Sequence, residues 1–363
     1  MKRTRVILAA LLLVGLGGAA LAQTSAWETL WRTETAAERV SVAGRAQTRA
    51  LIGREERSAI ATVHAFGGRV RLDYEAGPRR WSLIDDGSNL IRLDPARQEA
   101  GSMPRPPMAV DPALAERNYV ATVVREETIA GRPTQLIEVV PRSGGPAARR
   151  LWVDRETGFA LKRELYNVDG RLMMGTEYVE VTFGAPVDPQ LFQVPTGWRR
   201  VGPVQDARPV DLTGLARHLG APAQPPRYLP PGYILLGTYL QRFGRRDSLM
   251  AEFRYTDGIR VLSVFQRPRG AEEPTPPGDG HRGGDRPGRG RGHGRGSEPG
   301  RGPEAGGGPH GSGFGFGPPG AEPMTLVDRG STKALRYFGR ERVVVVVGDL
   351  TSDEMVRVAM GAE

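Results

Sequence analysis

The side chains best suited to proton transfer or metal ligation are five histidines, His64, His218, His281, His293 and His310. Three of them sit far apart in a glycine- and proline-rich stretch, which offers a metal no fixed ligand set. His64 falls in an expected strand and His218 between expected domains, and neither adjoins a motif for nucleophilic catalysis. The neighbouring carboxylates Asp85 and Asp86 precede Gly87, where aspartate serves turns by accepting local backbone hydrogen bonds. No glycine loop follows a strand and opens a helix to cradle phosphate. The chain has no cysteine, which removes thiol catalysis, thiolate metal sites and disulfides. The expectation is a binding protein, not an enzyme, with no cofactor and no metal.

The apolar residues offer a different chemistry. Trp27 and Trp31 fall on one face of a short leading helix, with Leu30 and Glu34 at helical spacing. Trp81, Leu83, Trp152, Phe159, Leu161 and Leu165 fall on expected strands. Together these residues are candidates to line one concave face. A groove left by a long sheet over one short helix suits an acyl chain, and burying ten methylenes is worth about 8 kcal/mol gross.

The elements that position these residues follow from periodicity. Lys2, Arg3 and Arg5, the apolar run Val6 to Leu16 and the exit Ala20-Leu-Ala22 form the pattern of a cleaved secretory signal over 1–22. The mature chain is then expected to be soluble and periplasmic, or otherwise extracytoplasmic. Of the formal charge of +9, those three residues supply three. The remainder is interspersed with acidic residues, and export argues against nucleic acid as a partner.

Between 23 and 200 many short alternating runs are broken by turn residues. Val70, Leu72 and Tyr74 alternate with Arg69, Arg71 and Asp73, and Trp81 and Leu83 repeat the pattern before Asp86-Gly87. Further runs cover Leu90–Leu93, Tyr119–Glu126, Thr134–Val140, Arg150–Val153, Phe159–Tyr166 and Leu172–Phe183. They predict a long antiparallel meander with little helix, covered on its apolar face by the leading helix. The Pro-rich stretch Met103 to Pro112 is placed to cross its opening.

Residues 201–224 are expected to link this domain to a second, 225–363, of small β character. Ile234–Arg242, Ala251–Tyr255 and Ile259–Gln266 read as strands, as do Ser331–Tyr337 and the valine run of Arg342–Gly348. Thr351-Ser-Asp-Glu354 reads as a helix start. The glycine-, proline- and arginine-rich stretch 268–323 interrupts this domain and is expected to be a disordered insertion. Within it, Gly288 to Gly296 looks like an RGG segment, which in an exported chain reads as a solvated tether or a contact for anionic lipid or polysaccharide.

Several blocks carry a family resemblance: Gly68-Arg-Val-Arg-Leu-Asp-Tyr74, Asp86-Gly-Ser-Asn-Leu-Ile-Arg-Leu-Asp-Pro95, and Leu151-Trp-Val-Asp-Arg-Glu-Thr-Gly-Phe159 with Asp169-Gly170. In the second domain they are Leu229-Pro-Pro-Gly-Tyr233, Tyr255-Thr-Asp-Gly-Ile259 ahead of Leu262-Ser-Val264, and Val345-Val-Val-Gly-Asp-Leu350. The chain resembles the RseB/MucB regulators, whose N-terminal domain is similar to the lipoprotein carriers LolA and LolB. The resemblance implies a mainly β (α+β) fold, with an antiparallel half-barrel covering a helix and a small C-terminal β-rich domain. It also implies binding to the periplasmic part of a transmembrane anti-sigma factor, with lipid or acyl-chain ligands in the half-barrel controlling envelope-stress signalling. A periplasmic lipid or lipoprotein carrier is the alternative.

Overall fold

In the computed structural model the described residues are 26–363, except 53–54, 78, 105–110, 202–207, 244–247, 270–323 and 329–331. The expected signal, most of the expected insertion and the centre of the Met103–Pro112 stretch lie outside the described residues. No described helix is long and apolar enough to cross a membrane.

Helix α1 (26–34) buries Ala26, Trp27 and Leu30, and after a turn continues as the single-turn α2 (Ala36–Arg39). Twelve strands then form one sheet: β1 (Val42–Ile52), β2 (Glu55–Phe66), β3 (Arg69–Ala76), β4 (Arg79–Asp85), β5 (Asn89–Asp94) and β6 (Glu99–Pro104) make a first meander. After α3 (Pro112–Asn118), a second meander follows: β7 (Tyr119–Ile129), β8 (Arg132–Pro141), β9 (Arg149–Asp154), β10 (Ala160–Tyr166) and β11 (Leu172–Phe183). β11 pairs antiparallel with β1 and so welds the two meanders. The expected all-antiparallel order has one exception, the short β12 (Arg199–Val201), which pairs parallel to β6.

At the weld the register shifts between Arg45 and Ala46, where β11 carries an extra residue, Val179. A Cβ at Gly44 would collide with the Glu180 carbonyl oxygen, so the close approach requires glycine there. The sheet's apolar surface divides among three clusters. Trp27, Leu30, Tyr119, Ile137 and Leu151 form one. Val42, Val63, Leu136, Trp152, Phe159, Leu161 and Tyr178 form a second. The third covers Ile84 and Leu93 with Phe192 and Trp198, brought over by the segment that leaves β11.

The second domain contains β13 (Arg208–Pro209), α4 (Leu212–Leu219), β14 (Ile234–Phe243), β15 (Ser248–Thr256), β16 (Val261–Pro268), β17 (Met324–Asp328), β18 (Lys333–Phe338), β19 (Arg342–Gly348) and α5 (Ser352–Gly361). Its seven strands run in the order β13-β14-β15-β16-β19-β18-β17. Residues on both sides of the expected insertion therefore share one sheet, with β16 paired directly to β19. The valine run alternates Val344 and Val346 into the core against Phe253, Val264 and Leu335, and α5 adds Met355 and Val358. Thr351 and Glu354 close a reciprocal capping box at the start of α5. Helix α4, within the stretch expected to link the domains, buries Leu215 in this same core.

Candidate ligand trough and interdomain seam

The strand register places the candidate groove residues in three different settings. Trp81 stands opposite Tyr74, Tyr74 opposite Ala61, and Ala61 opposite Ala46. Residues paired directly across strands share a face, so these four define a line across the sheet. The next lines on that face pair Leu83 with Leu72 on one side, and Ala59 with Thr48 on the other. Farther along, Ala50 pairs with Met174, and Met174 with Leu165. These positions share one sheet face, along which a strip of small residues, Ala59, Thr48 and Ala50, is called the trough here. Larger side chains flank the strip on that face: the Tyr74–Trp81 stack, with centroids 5.0 Å apart and planes 10° apart, on one side, and Met174 paired with Leu165 on the other.

Trp81, Leu83, Tyr74 and Leu165 are all half-buried, and Met174 is 56% exposed. Hydrocarbon therefore remains open to solvent along both walls. Burial lifts the Tyr74 phenol above its ordinary value, tempered by a hydrogen bond with Thr48. It stays neutral at ordinary pH, in keeping with an apolar lining.

Trp152, Phe159 and Leu161 do not line the open part. They are 5%, 6% and 0% exposed and pack in the second cluster with Val42, Leu136 and Tyr178. The Trp152 indole donates to Glu127 Oε2 at 2.6 Å, and Lys162 Nζ sits 4.5 Å from its ring centroid. A tryptophan so tied packs the core instead of greeting a ligand. The sequence pattern could not separate these residues from Trp81, because both sets alternate alike along strands.

Trp27 and Trp31 occupy a third place. Their rings stack at 5.2 Å, and they line a slot with Leu30, Arg149, Leu151 and Ile259. Ile259 belongs to the second domain, yet it packs in the first domain's core beside Trp27. This is the seam between the domains.

The seam is built by the turn Thr256–Arg260. Asp257 Oδ1 accepts the Ile259 and Arg260 backbone N–H groups at 3.0 and 2.7 Å, which shapes the turn. Its other oxygen accepts the Tyr119 hydroxyl at 2.6 Å. Gly258 has φ +102°, and a Cβ there would stand 2.7 Å from the Ala115 Cα, so the turn tip meets α3 backbone to backbone. Asn118 Nδ2 donates to the carbonyls of Asp257 and Gly232, at 2.8 and 3.0 Å.

Charges close the seam. Arg260 donates to the Tyr119 hydroxyl at 3.1 Å and to Asp349 Oδ2 at 3.0 Å, with both ion-pair side chains 13% exposed. Asp349 Oδ1 accepts the Val168 N–H at 3.0 Å. Lys333 Nζ reaches Asp169 Oδ2 at 2.8 Å and the Leu350 carbonyl at 3.1 Å. Burial holds the Asp349 carboxyl above its usual range, although the Val168 N–H and Arg260 pull it down. Burial likewise drives the Tyr119 phenol far up, and Arg260 opposes it.

None of Tyr119, Asn118, Arg260, Lys333 or Asp349 stands out as a site residue by type or spacing. Yet two of the blocks that carry the resemblance, Tyr255-Thr-Asp-Gly-Ile259 and Val345 to Leu350, are the ones that supply Asp257, Ile259 and Asp349. Among the described residues, no group of histidines and carboxylates is arranged to hold a metal ion.

Comparison with known proteins matches residues 78–196 to the MucB/RseB N-terminal domain. That span contains Trp81, β7 to β11 and Tyr119. The sigma factor AlgU regulatory protein MucB of Pseudomonas aeruginosa is 28% identical over 223 residues, 59% of this chain and 67% of that protein. The crystal structure of MucB in complex with MucA(peri) has a similar fold, with a TM-score of 0.57 at 19% identity over 93% of this chain and 97% of that one. The complex of Pseudomonas aeruginosa MucA and MucB gives a TM-score of 0.58 at 19% identity, over 92% of this chain and 97% of that one. The likeness in fold runs through both domains, and the stretch that matches the MucB/RseB N-terminal domain holds Trp81 and the seam residue Tyr119: over residues 78–196 the chain is similar to the RseB/MucB regulators.

Proposed function

We propose that this protein is an exported regulatory binding protein that holds the periplasmic part of a transmembrane anti-sigma factor and responds to a lipid-like ligand in its trough. The observation that carries the first half is the shared two-domain fold with MucB bound to MucA(peri). The trough supports the second half: small residues on its floor leave room, and its walls offer half-exposed hydrocarbon. The mechanism is linkage, since a ligand that prefers the partner-free form weakens partner binding by the ratio of its two affinities.

Capture from membranes with the tagged chain, followed by mass spectrometry of protein and lipid, tests this reading. Recovery of a single-span anti-sigma factor, released by added lipid, is the expected result. Recovery of lipid with no such partner would overturn it in favour of a lipid or lipoprotein carrier, a reading that the open trough by itself also supports.

A further inference from the structure

One hairpin belongs to both the trough and the seam. Met174 on β11 pairs with Ala50 on one side and with Leu165 on the other, so this flank of the trough is the β10–β11 hairpin. Its turn reaches the second domain. The Val168 N–H donates to Asp349 Oδ1 at 3.0 Å, and Asp169 Oδ2 accepts Lys333 Nζ at 2.8 Å. Among the described residues, the hairpins that carry Tyr74, Trp81 and Leu83 have no hydrogen bond to the second domain.

The turn is stiff enough to carry a displacement. Asn167 is 3% exposed, and its side-chain oxygen accepts the Asp169 and Arg171 N–H groups at 3.1 and 2.8 Å. Its backbone N–H donates to the Arg171 carbonyl at 3.0 Å, and its carbonyl accepts the Gly170 N–H at 2.9 Å. These bonds lock Asn167–Arg171 into one body. The strands feeding it are less regular, since the register shifts between Leu165 and Tyr166 and Met173 is the extra residue. Beyond the contact, Asp349 Oδ2 holds Arg260 at 3.0 Å and Lys333 also donates to the Leu350 carbonyl. Charge-assisted bonds weaken steeply with distance and angle, so a small tilt of the turn is felt at both partners.

We propose that the β10–β11 turn, Asn167–Arg171, is a latch that couples the trough to the second domain. Bulk laid on the face between Ala50 and Leu165 presses on Met174 and shifts the hairpin. The turn follows as a body, lengthens the Val168–Asp349 and Asp169–Lys333 bonds, and loosens the second domain's hold. This names the contacts through which the linkage of the proposed function runs, and it rests on that reading for its natural ligand alone. The coupling is a property of the fold, so an added side chain on the same face stands in for the ligand.

The test is amide hydrogen exchange on the full chain, read at Val168 and, as a reference in the second domain's core, at the fully buried Val346. Wild type is compared with and without sodium palmitate, and with Ala50→Phe, which adds bulk opposite Met174 without a ligand. Ala50→Phe and bound palmitate should each speed Val168 exchange at least about tenfold, with Val346 changing less than about twofold. Asp349→Ala removes the Val168 acceptor, so Val168 there starts fast and responds to neither. A Val168 rate unmoved by Ala50→Phe overturns the latch, as does an acceleration that Val346 shares in full. If Ala50→Phe does not fold, Ala50→Leu takes its place. Palmitate that binds by calorimetry without moving Val168 also overturns the latch and leaves the trough reading intact. Palmitate that does not bind, while Ala50→Phe speeds Val168, removes the trough ligand and leaves the latch standing.

Discussion

The trough and the seam lie in one chain and use opposite materials. The trough leaves hydrocarbon half-exposed on Trp81, Leu83 and Met174 over a floor of alanine and threonine. The seam buries charge, with Arg260, Asp349 and Lys333 all largely enclosed and all paired. An apolar hollow costs little when empty and gains on filling, so it suits a guest that comes and goes. A buried polar network is tolerant of nothing: complete, it fixes one geometry, and with one member missing it leaves a desolvated charge. Substitutions are therefore expected to separate the two regions, with large stability effects at the seam and large binding effects at the trough.

The largest effect is expected at the turn tip. Gly258→Ala imposes a left-handed strain and a backbone collision with α3, and should cost about 2–4 kcal/mol, read from the denaturant midpoint. A cost under a few tenths would mean that the domains separate at this contact without penalty. Arg260→Met should follow, at about 3 kcal/mol, because Asp349 is left buried without its cation. Adding Asp349→Asn to it should restore part of that loss, and simple additivity in this cycle would contradict a coupled pair.

The trough should respond the other way. Trp81→Ala removes a stacked but half-exposed ring, with a stability loss of about 1 kcal/mol. Ala59→Leu fills the floor and should leave stability within about 0.5 kcal/mol. Both variants are expected to abolish any binding of palmitate measured by calorimetry on the wild-type chain. Undiminished palmitate binding in both would remove the trough as the lipid site.

The smallest effect is a pH trend at the seam. The Asp349 carboxyl is raised by burial, so the folded state holds its proton more firmly than the unfolded state. Below the unfolded carboxylate range this group is neutral in both states and imposes no penalty. As pH rises through the folded value, ionising it in a buried setting lowers stability. The stability of Asp349→Asn relative to wild type should therefore improve as pH rises across the carboxylate range, in paired melts. A relative stability that is flat or falls with pH would contradict this assignment.

Much of the architecture was legible in the residues. Alternation marks β3 and β4, where one face carries large apolar groups and the other polar ones, and short apolar runs mark β5 and β8 to β11. β1 and β2 were far less visible. Their inward positions are mostly alanine, threonine and glycine, so hydrophobic periodicity is weak where the trough needs an empty floor. The same economy hid the trough: its walls could be named in Trp81, Leu83 and Leu165, but a floor made of small side chains gives no signal. The seam was hidden for another reason. Tyr119 and Asp257 stand 138 positions apart, and nothing local ties a strand-leading tyrosine to a distant turn.

Patterning by itself determined that the chain is mainly β, that its long first meander would need a helical cover, and that the segments on either side of 268–323 would form one domain. These follow from short-range rules of period, turn chemistry and capping. Only the tertiary structure decided which tryptophans face a hollow, which pack a core and which border the seam. An indole's alternation along its strand gives its face but not what lies opposite, and that is set by the curl of a twelve-stranded sheet and the arrival of Ile259 from another domain.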